Sequence, residues 1–321
     1  MKRDVVGVGA LNVDFIYEVN RLVVAEKSYV PGSEIFEDKR RFRRVKEELD
    51  QTGKLVRRSA GGSAANTVYA LAKMGFKTGI LGITGIDELG DFILYSMNDV
   101  DYSHVKRLDD TGVCLSLVSR GERSLIVFPN ANDMFSISIE DIGYLNESRI
   151  VHMSSFVGDR GLNEQKKIAK ELDAGVMLSF DPGEIYARKG LRAIKTILRR
   201  CDILFINERE LQLLTSNDVV EGSKMLLETG PEIVACKMGE KGSIIVTDTD
   251  EITISPTNTV VVDKTGAGDV YDAGFLAGIL MDWPIEKCGN FASFVAGRSI
   301  AYYGRDGYPD KDTIKIFDGV M

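Results

Sequence analysis

Short β-branched apolar runs alternate with segments whose apolar residues recur at helical spacing, and this alternation limits the possible folds more than any other feature. The strand-like runs are "DVVGVGA", "RIVHMSS", "GVMLSFD", "DILFIN", "EIVACK", "SIIVT" and "TVVVD". Helix-like periodicity covers 63–74, 88–100, 163–174, 184–200, 208–214, 219–228, 268–281 and 285–303. Strands separated by helices predict an α/β fold with a mainly parallel sheet and helices on both faces. The 321 residues suit one large domain or two modest ones, and no repeat, low-complexity tract or linker divides the chain.

Two segments fall outside this rhythm. Residues 113–128, "VCLSLVSRGERSLIVF", read as a hairpin turning at Gly121. Residues 15–58 mix strand-like pieces with the charged run "EDKRRFRRVKEELD", which reads as a solvated helix with Phe36, Phe42 and Val45 as its buried stripe. Strands outside the rhythm of an α/β protein suit a lid or a dimer-forming sheet. The alternating "CLSLV" and "LIVF" leave one apolar face in need of cover, either over a substrate or against a second copy of the chain.

The strand-like "TVVV" runs into "DKTGAGDVYDAGF", a predicted strand-to-helix turn. Glycines at a helix N-terminus let backbone N–H groups approach an anion, so Gly266, Ala267 and Gly268 are suited to hold a phosphate. Asp269 would be repelled by that phosphate unless it accepts a proton from an attacking hydroxyl. Taken alone, the motif leaves open a base or a simple electrostatic cap.

A second glycine turn, "AGGSAANTVYALAKMG", places Gly61 and Gly62 before a helix with Asn66 in its first turn. Its amide can grip sugar hydroxyls. "GALNVD" offers Asn12 and Asp14 on one face of an extended segment. In "FINERELQLL", Asn207 and Glu210 stand three apart, which suits hydrated Mg²⁺ near phosphates and equally suits a capping box. In "KMGEKGSIIV", Lys237, Gly239 and Gly242 punctuate a strand pair that could be only a tight hairpin.

Composition excludes several classes. A net charge of −8 argues against nucleic-acid or anionic-membrane partners. No apolar run reaches the roughly 20 residues of a membrane helix, and "MKRDVVGVGA" enters a strand directly rather than reading as a signal peptide. Cys114, Cys201, Cys236 and Cys288 are widely spaced, as expected of free thiols in a reducing cytoplasm. With only His104 and His152, a His-rich metal centre is excluded, and no nucleophile elbow supports a Ser-His-Asp triad.

Together and in this order, these elements resemble the PfkB/ribokinase family of ATP-dependent sugar and nucleoside kinases, from "GALNVD" to "NFASFVAGRSIAYYG". The "GGSAAN" and "DKTGAGDVYDAGF" blocks carry the resemblance as a pair. It implies a three-layer α/β/α ribokinase-like domain over 1–321, with a β lid formed by about 15–58 and 110–130. It also implies transfer of the ATP γ-phosphoryl group to an alcohol. Asp269 looks like the catalytic base and Gly266 to Gly268 like the anion hole. Asn12, Asp14, Gly61, Gly62 and Asn66 look like acceptor ligands. Asn207 and Glu210 match an NxxE motif tied to Mg²⁺ and phosphates. Lys237, Gly239, Gly242 and Ser293 fall where the family contacts nucleotide, and Asp263 and Thr265 where some members bind a monovalent cation such as K⁺. A lid-mediated homodimer is expected.

The departures bear on the acceptor. "VHMSSFVGD" lacks the glutamate that binds ribose in ribokinases proper, and Ser293 replaces an asparagine. The long insert between Asp14 and Gly61 looks more like the adenosine-kinase branch. Phe156 is expected to supply an apolar wall, favouring a nucleoside or substituted sugar over free ribose. Two other readings compete. In a nicotinamide-dependent dehydrogenase "VVGVGALN" would be the dinucleotide turn, but Asn12 stands where Gly or Ala is needed and a strand-like run follows. A non-catalytic ligand-binding protein on the same fold would have no need of Asp269.

Overall fold

The computed structural model describes residues 2–320 except Gly32 and Gly121, so the expected hairpin turn at Gly121 lies outside the described residues. The large sheet runs, in spatial order, Glu251–Ile254, Ser243–Val246, Ile233–Lys237, Ile203–Asn207, Met177–Asp181, Ser148–Ser154, Arg3–Val8, Thr78–Thr84 and Val100–Asp101. Its pairs are parallel except the two at the Glu251–Ile254 end. Successive residues of each strand point to opposite faces, and this divides the interior into two cores. Val5, Ile80, Ile150, Phe205 and Ala235 pack with helices Ser63–Lys73, Ala267–Leu280 and Ile285–Ser299. Val6, Leu81, Val151, Leu204 and Val234 pack with Asp159–Glu171, Leu191–Leu198 and Glu208–Thr215. The result is the expected α/β/α arrangement.

A second sheet of five strands is built from the segments expected to form a lid, in the order Glu34–Phe36, Glu122–Phe128, Gly112–Ser119, Asn12–Glu18 and Lys54–Gly61. Its outer apolar face is covered by the chain's own helix Lys39–Thr52. Phe42 meets Phe128 edge-on with ring centroids 5.1 Å apart, Val45 and Leu49 are buried, and Lys46 lies over the rings of Phe15 and Tyr17. The cover expected from a substrate or a second copy is supplied on this face by the chain itself. Phe36 is not part of the helix stripe; it ends a lid strand and is 41% exposed.

Several boundaries differ from the sequence reading. "TVVVD" is not a buried strand: residues 259–263 form no strand, and Val260 is 80% exposed. The position beside Ser243–Val246 is taken by Glu251–Ile254, and the run does not pair with the outer edge of that strand. It is tethered instead by the amides of Val262 and Asp263 donating to the Ile300 carbonyl. The expected helix 184–200 is broken at Gly190, whose φ of 81° is a left-handed conformation. The helix begun at Glu88 ends at Tyr95, and the one begun at Ile285 ends at Ser299. The helix expected over 163–174 begins at Asp159 and ends at Glu171. Strand Thr78–Thr84 and helices Ile139–Asn146 and Lys311–Val320 were not anticipated. Among the described residues no helix is long and apolar enough to cross a membrane, and all four cysteines are buried free thiols.

Candidate active site

The carboxyl ends of the parallel strands, the lid and the N-terminus of helix Ala267–Leu280 enclose a cavity of about 290 Å³. Strand Asn12–Glu18 follows Arg3–Val8 of the large sheet but pairs only within the five-stranded sheet, and its alternation brings Asn12 and Asp14 to the cavity. Because a strand rather than a helix follows Gly9, the dinucleotide-binding turn of a dehydrogenase is absent there. Burial pushes the Asp14 carboxyl up to about 6, against the pull of Arg123 and Arg305. A side chain at Gly61 would collide with that carboxylate, so glycine permits the approach. Gly62 has φ 107°, and a Cβ there would strike the Ala10 carbonyl.

Asn132 was missed by the sequence reading. Its amide bridges both backbone groups of Leu11 at 2.9 and 3.0 Å and donates to Asn12 Oδ1 at 3.0 Å. This occupies the Asn12 oxygen and leaves its NH₂ as the donor a hydroxyl can use. Arg123 was missed too. It reaches in from the lid, and its Nη1 donates to Thr265 Oγ1 at 2.8 Å.

The GAGD turn forms the opposite wall. Gly266 caps the helix at φ 75°, and the helix begins at Ala267. Among the described residues, no backbone carbonyl accepts from the amides of Gly268 and Asp269, so they stand as donors at a helix N-terminus. Asp269 lines the cavity and accepts a 2.8 Å hydrogen bond from Asn66 Nδ2. Burial pushes its carboxyl up to about 7; donation by Asn66 and Ser63 and the charge of Lys237 oppose the rise, and the charge of Asp181 adds to it.

Gly268 also lines a second cavity, of about 510 Å³, with Lys237, Gly239, Gly242 and Ser293. Gly239 and Gly242 take φ of 60° and 86° in the turn after Lys237. The Ser293 hydroxyl donates to the Ser255 carbonyl at 2.8 Å, so it is engaged in holding the loop that walls this cavity. Lys237 is not a free surface cation. Its Nζ lies 2.7 Å from Asp181 and 3.0 Å from Asp272, two acids that motif spacing did not reveal because they come from separate elements. Despite its burial, those carboxylates hold the ammonium well above its ordinary range.

Asn207 and Glu210 line neither cavity. They form a capping box in which each side chain bonds the other's backbone amide, with Asn207 Nδ2 also 2.6 Å from Glu210 Oε1. Burial and the charge of Asp181 push Glu210 up to about 7. Both oxygens of Asp263 accept backbone amides, from Thr265 at 2.9 Å and Gly304 at 3.0 Å, so this carboxylate closes a loop.

Phe156 does not wall the cavity. It is fully buried and stacked on Phe135 with centroids 4.5 Å apart, because its place after strand Ser148–Ser154 turns it into the core. Val157, Ile185, Leu125 and Val127 supply the apolar lining instead.

The model of the pfkB family carbohydrate kinases matches residues 34–311. An uncharacterized sugar kinase of Archaeoglobus fulgidus is 36% identical over 247 residues, 74% of this chain and 98% of that one. A nucleoside kinase of Methanothermobacter thermautotrophicus is 31% identical over 252 residues, 76% of this chain and 79% of that one. The solved structure of an adenosine kinase from Sinorhizobium meliloti superposes with a TM-score of 0.85 at 21% identity, covering 100% of both chains.

Proposed function

The chain belongs to the PfkB family of carbohydrate kinases, and from that premise we propose that it transfers the γ-phosphoryl group of ATP to a hydroxyl of a sugar, sugar derivative or nucleoside, with Asp269 as general base. The observation that carries this reading is the position of Gly268 and Asp269. They stand where the two cavities meet, Gly268 lining both and Asp269 facing the smaller. An acceptor hydroxyl in the smaller cavity gives its proton to Asp269 as its oxygen bonds to the γ-phosphorus, and ADP leaves into the larger cavity. Charge on the transferring oxygens meets the N–H groups of the Gly266 to Gly268 turn.

Asp14, Asn12 and Asn66 suit vicinal hydroxyls, and Leu125, Val127, Val157 and Ile185 suit an apolar ring or substituent. That pairing favours a nucleoside or substituted sugar. The lid carries Arg123, and its closure would exclude water from the transfer. Mg²⁺ keeps most of its waters and binds phosphate oxygens. Glu210 and Asn207, already bonded to each other, would act on it through water. A cytoplasmic setting accords with four buried thiols. A homodimer would have to use a surface other than the lid face under helix Lys39–Thr52.

ADP release with adenosine, cytidine, ribose, fructose and inositol tests the reading. Acceptor-dependent release that is lost in Asp269→Asn is expected. Release no faster than ATP hydrolysis alone with every acceptor, or full activity in the variant, would overturn it.

A further inference from the structure

Arg305 lies in the short Gly304–Gly307 helical turn, far from either glycine motif in sequence. Its Nε and Nη2 lie 3.0 and 2.9 Å from Asn66 Oδ1. A guanidinium has donors and no acceptor, so the Asn66 atom it touches must be the oxygen. The Asn66 NH₂ is thereby turned to Asp269 Oδ2, 2.8 Å away. The arginine is itself held: its guanidinium lies over the Tyr69 ring at 4.6 Å, and the Gly304 amide ties its turn to Asp263. It makes no ion pair among the described residues, and its Nη1 is buried without an acceptor. A guanidinium withdrawn from water with no carboxylate in direct contact is costly, and the charges of Asp14 and Asp269 act on it only from a distance.

We infer that Arg305 is a positioning residue of the phosphoryl transfer, which locks the Asn66 amide as a hydrogen-bond donor to the Asp269 carboxylate. The reason lies in what Asn66 could otherwise do. An ionised carboxylate accepts only from NH₂, but a protonated carboxyl can donate to an amide oxygen. An unrestrained Asn66 could flip and serve the acid form. With its oxygen held by the fork of Arg305, Asn66 offers Asp269 only a donor, which favours the ionised form, the stronger acceptor and the one able to take a proton. Asp269 titrates near neutrality, where this choice matters most. The other groups acting on it are Asp181 and Lys237 from the large sheet, the Ser63 hydroxyl, and Tyr308 from the same C-terminal segment as Arg305. None of these fixes an amide.

The kinetic consequence rests on Asp269 being the base; the orientation does not. The full chain labelled with [4-¹³C]aspartate, with the Asp269 resonance identified by its loss in Asp269→Asn, gives a titration that needs no acceptor. The wild-type midpoint is expected near 7. Arg305→Lys keeps the charge and loses the fork, and should raise the midpoint by at least about half a pH unit. Asn66→Ala should raise it comparably, and adding Arg305→Lys to Asn66→Ala should shift it no further. An unchanged midpoint in Arg305→Lys, or a full additional shift in the double variant, would overturn the inference. If Arg305→Lys does not fold, Arg305→Gln, with one amide donor, is read by the same criteria. Full turnover in Asp269→Asn would defeat the base assignment while leaving the titration result intact.

Discussion

Arg123 Nη1 donates to the hydroxyl of Thr265 at 2.8 Å, which joins the lid hairpin to the residue immediately before the glycine turn. The contact spans 142 positions of sequence and ties this hairpin to the glycine turn. Arg123→Ala should therefore raise the acceptor KM about tenfold, roughly 1.4 kcal/mol, with a smaller rise in Thr265→Val. Steady-state kinetics with the best acceptor of the ADP-release panel would show it. An unchanged acceptor KM in Arg123→Ala would mean that the bond does not govern the lid.

Asp269 predicts opposite effects on activity and stability. Its carboxyl is pushed up to about 7, so the wild-type rate should rise with pH through that value as the base ionises. Asp269→Asn should lower kcat by at least about 10². For stability the sign reverses. A carboxyl whose folded pKa exceeds its unfolded one stabilises the fold fully below the unfolded pKa, and that contribution is lost as pH rises through the folded one. Asp269→Asn should thus stabilise the fold more at about pH 8 than at about pH 5, by on the order of 1–3 kcal/mol. Denaturant melts at the two pH values measure this, and a variant less stable than wild type at the higher pH would contradict it.

Lys237 is expected to matter to the fold before it matters to nucleotide. Its removal would leave Asp181 and Asp272 facing each other without a cation. Lys237→Met should cost about 3–5 kcal/mol, the scale for breaking a buried pair on one side. Asp272→Asn, which leaves the Lys237–Asp181 contact in place, should cost less. Urea unfolding of both variants orders the two effects, and equal losses would show that the three groups do not act as a unit.

Glu210 allows capping and metal roles to be separated. Glutamine can keep its oxygen on the Asn207 backbone amide but loses the charge and the bond from Asn207 Nδ2, so Glu210→Gln should cost only about 1 kcal/mol of stability. It should raise the Mg²⁺ concentration needed for half-maximal rate. Because the carboxyl is pushed up to about 7, that rise should be larger above neutrality, where the wild-type group is ionised, than below it. A Mg²⁺ titration of the rate at two pH values would test this, and an identical dependence in both proteins would reduce the pair to a helix cap.

What the sequence by itself determined is local. The two-residue alternation of the strands and the helical periodicity between them set the layers. The glycines of "GGSAAN" and "GAGD" marked backbone positions that side chains would obstruct, as the collisions at Gly61 and Gly62 bear out. Asn12 and Asp14 were legible because one extended strand carries both to one face. What only the tertiary structure decided depends on pairings between distant segments. "TVVVD" has every intrinsic preference of a strand, yet it joins no sheet and two of its amides go instead to the Ile300 carbonyl, distant along the chain. Phe156 looked like a binding-site wall until its stacking on Phe135 buried it. Arg123, Asn132, Asp181 and Arg305 carry no motif, since a charge or an amide acquires its role from the groups that surround it. Those groups arrive from segments as far apart as Asn66 and Arg305, 239 positions along the chain, and only chain packing brings them within hydrogen-bonding distance.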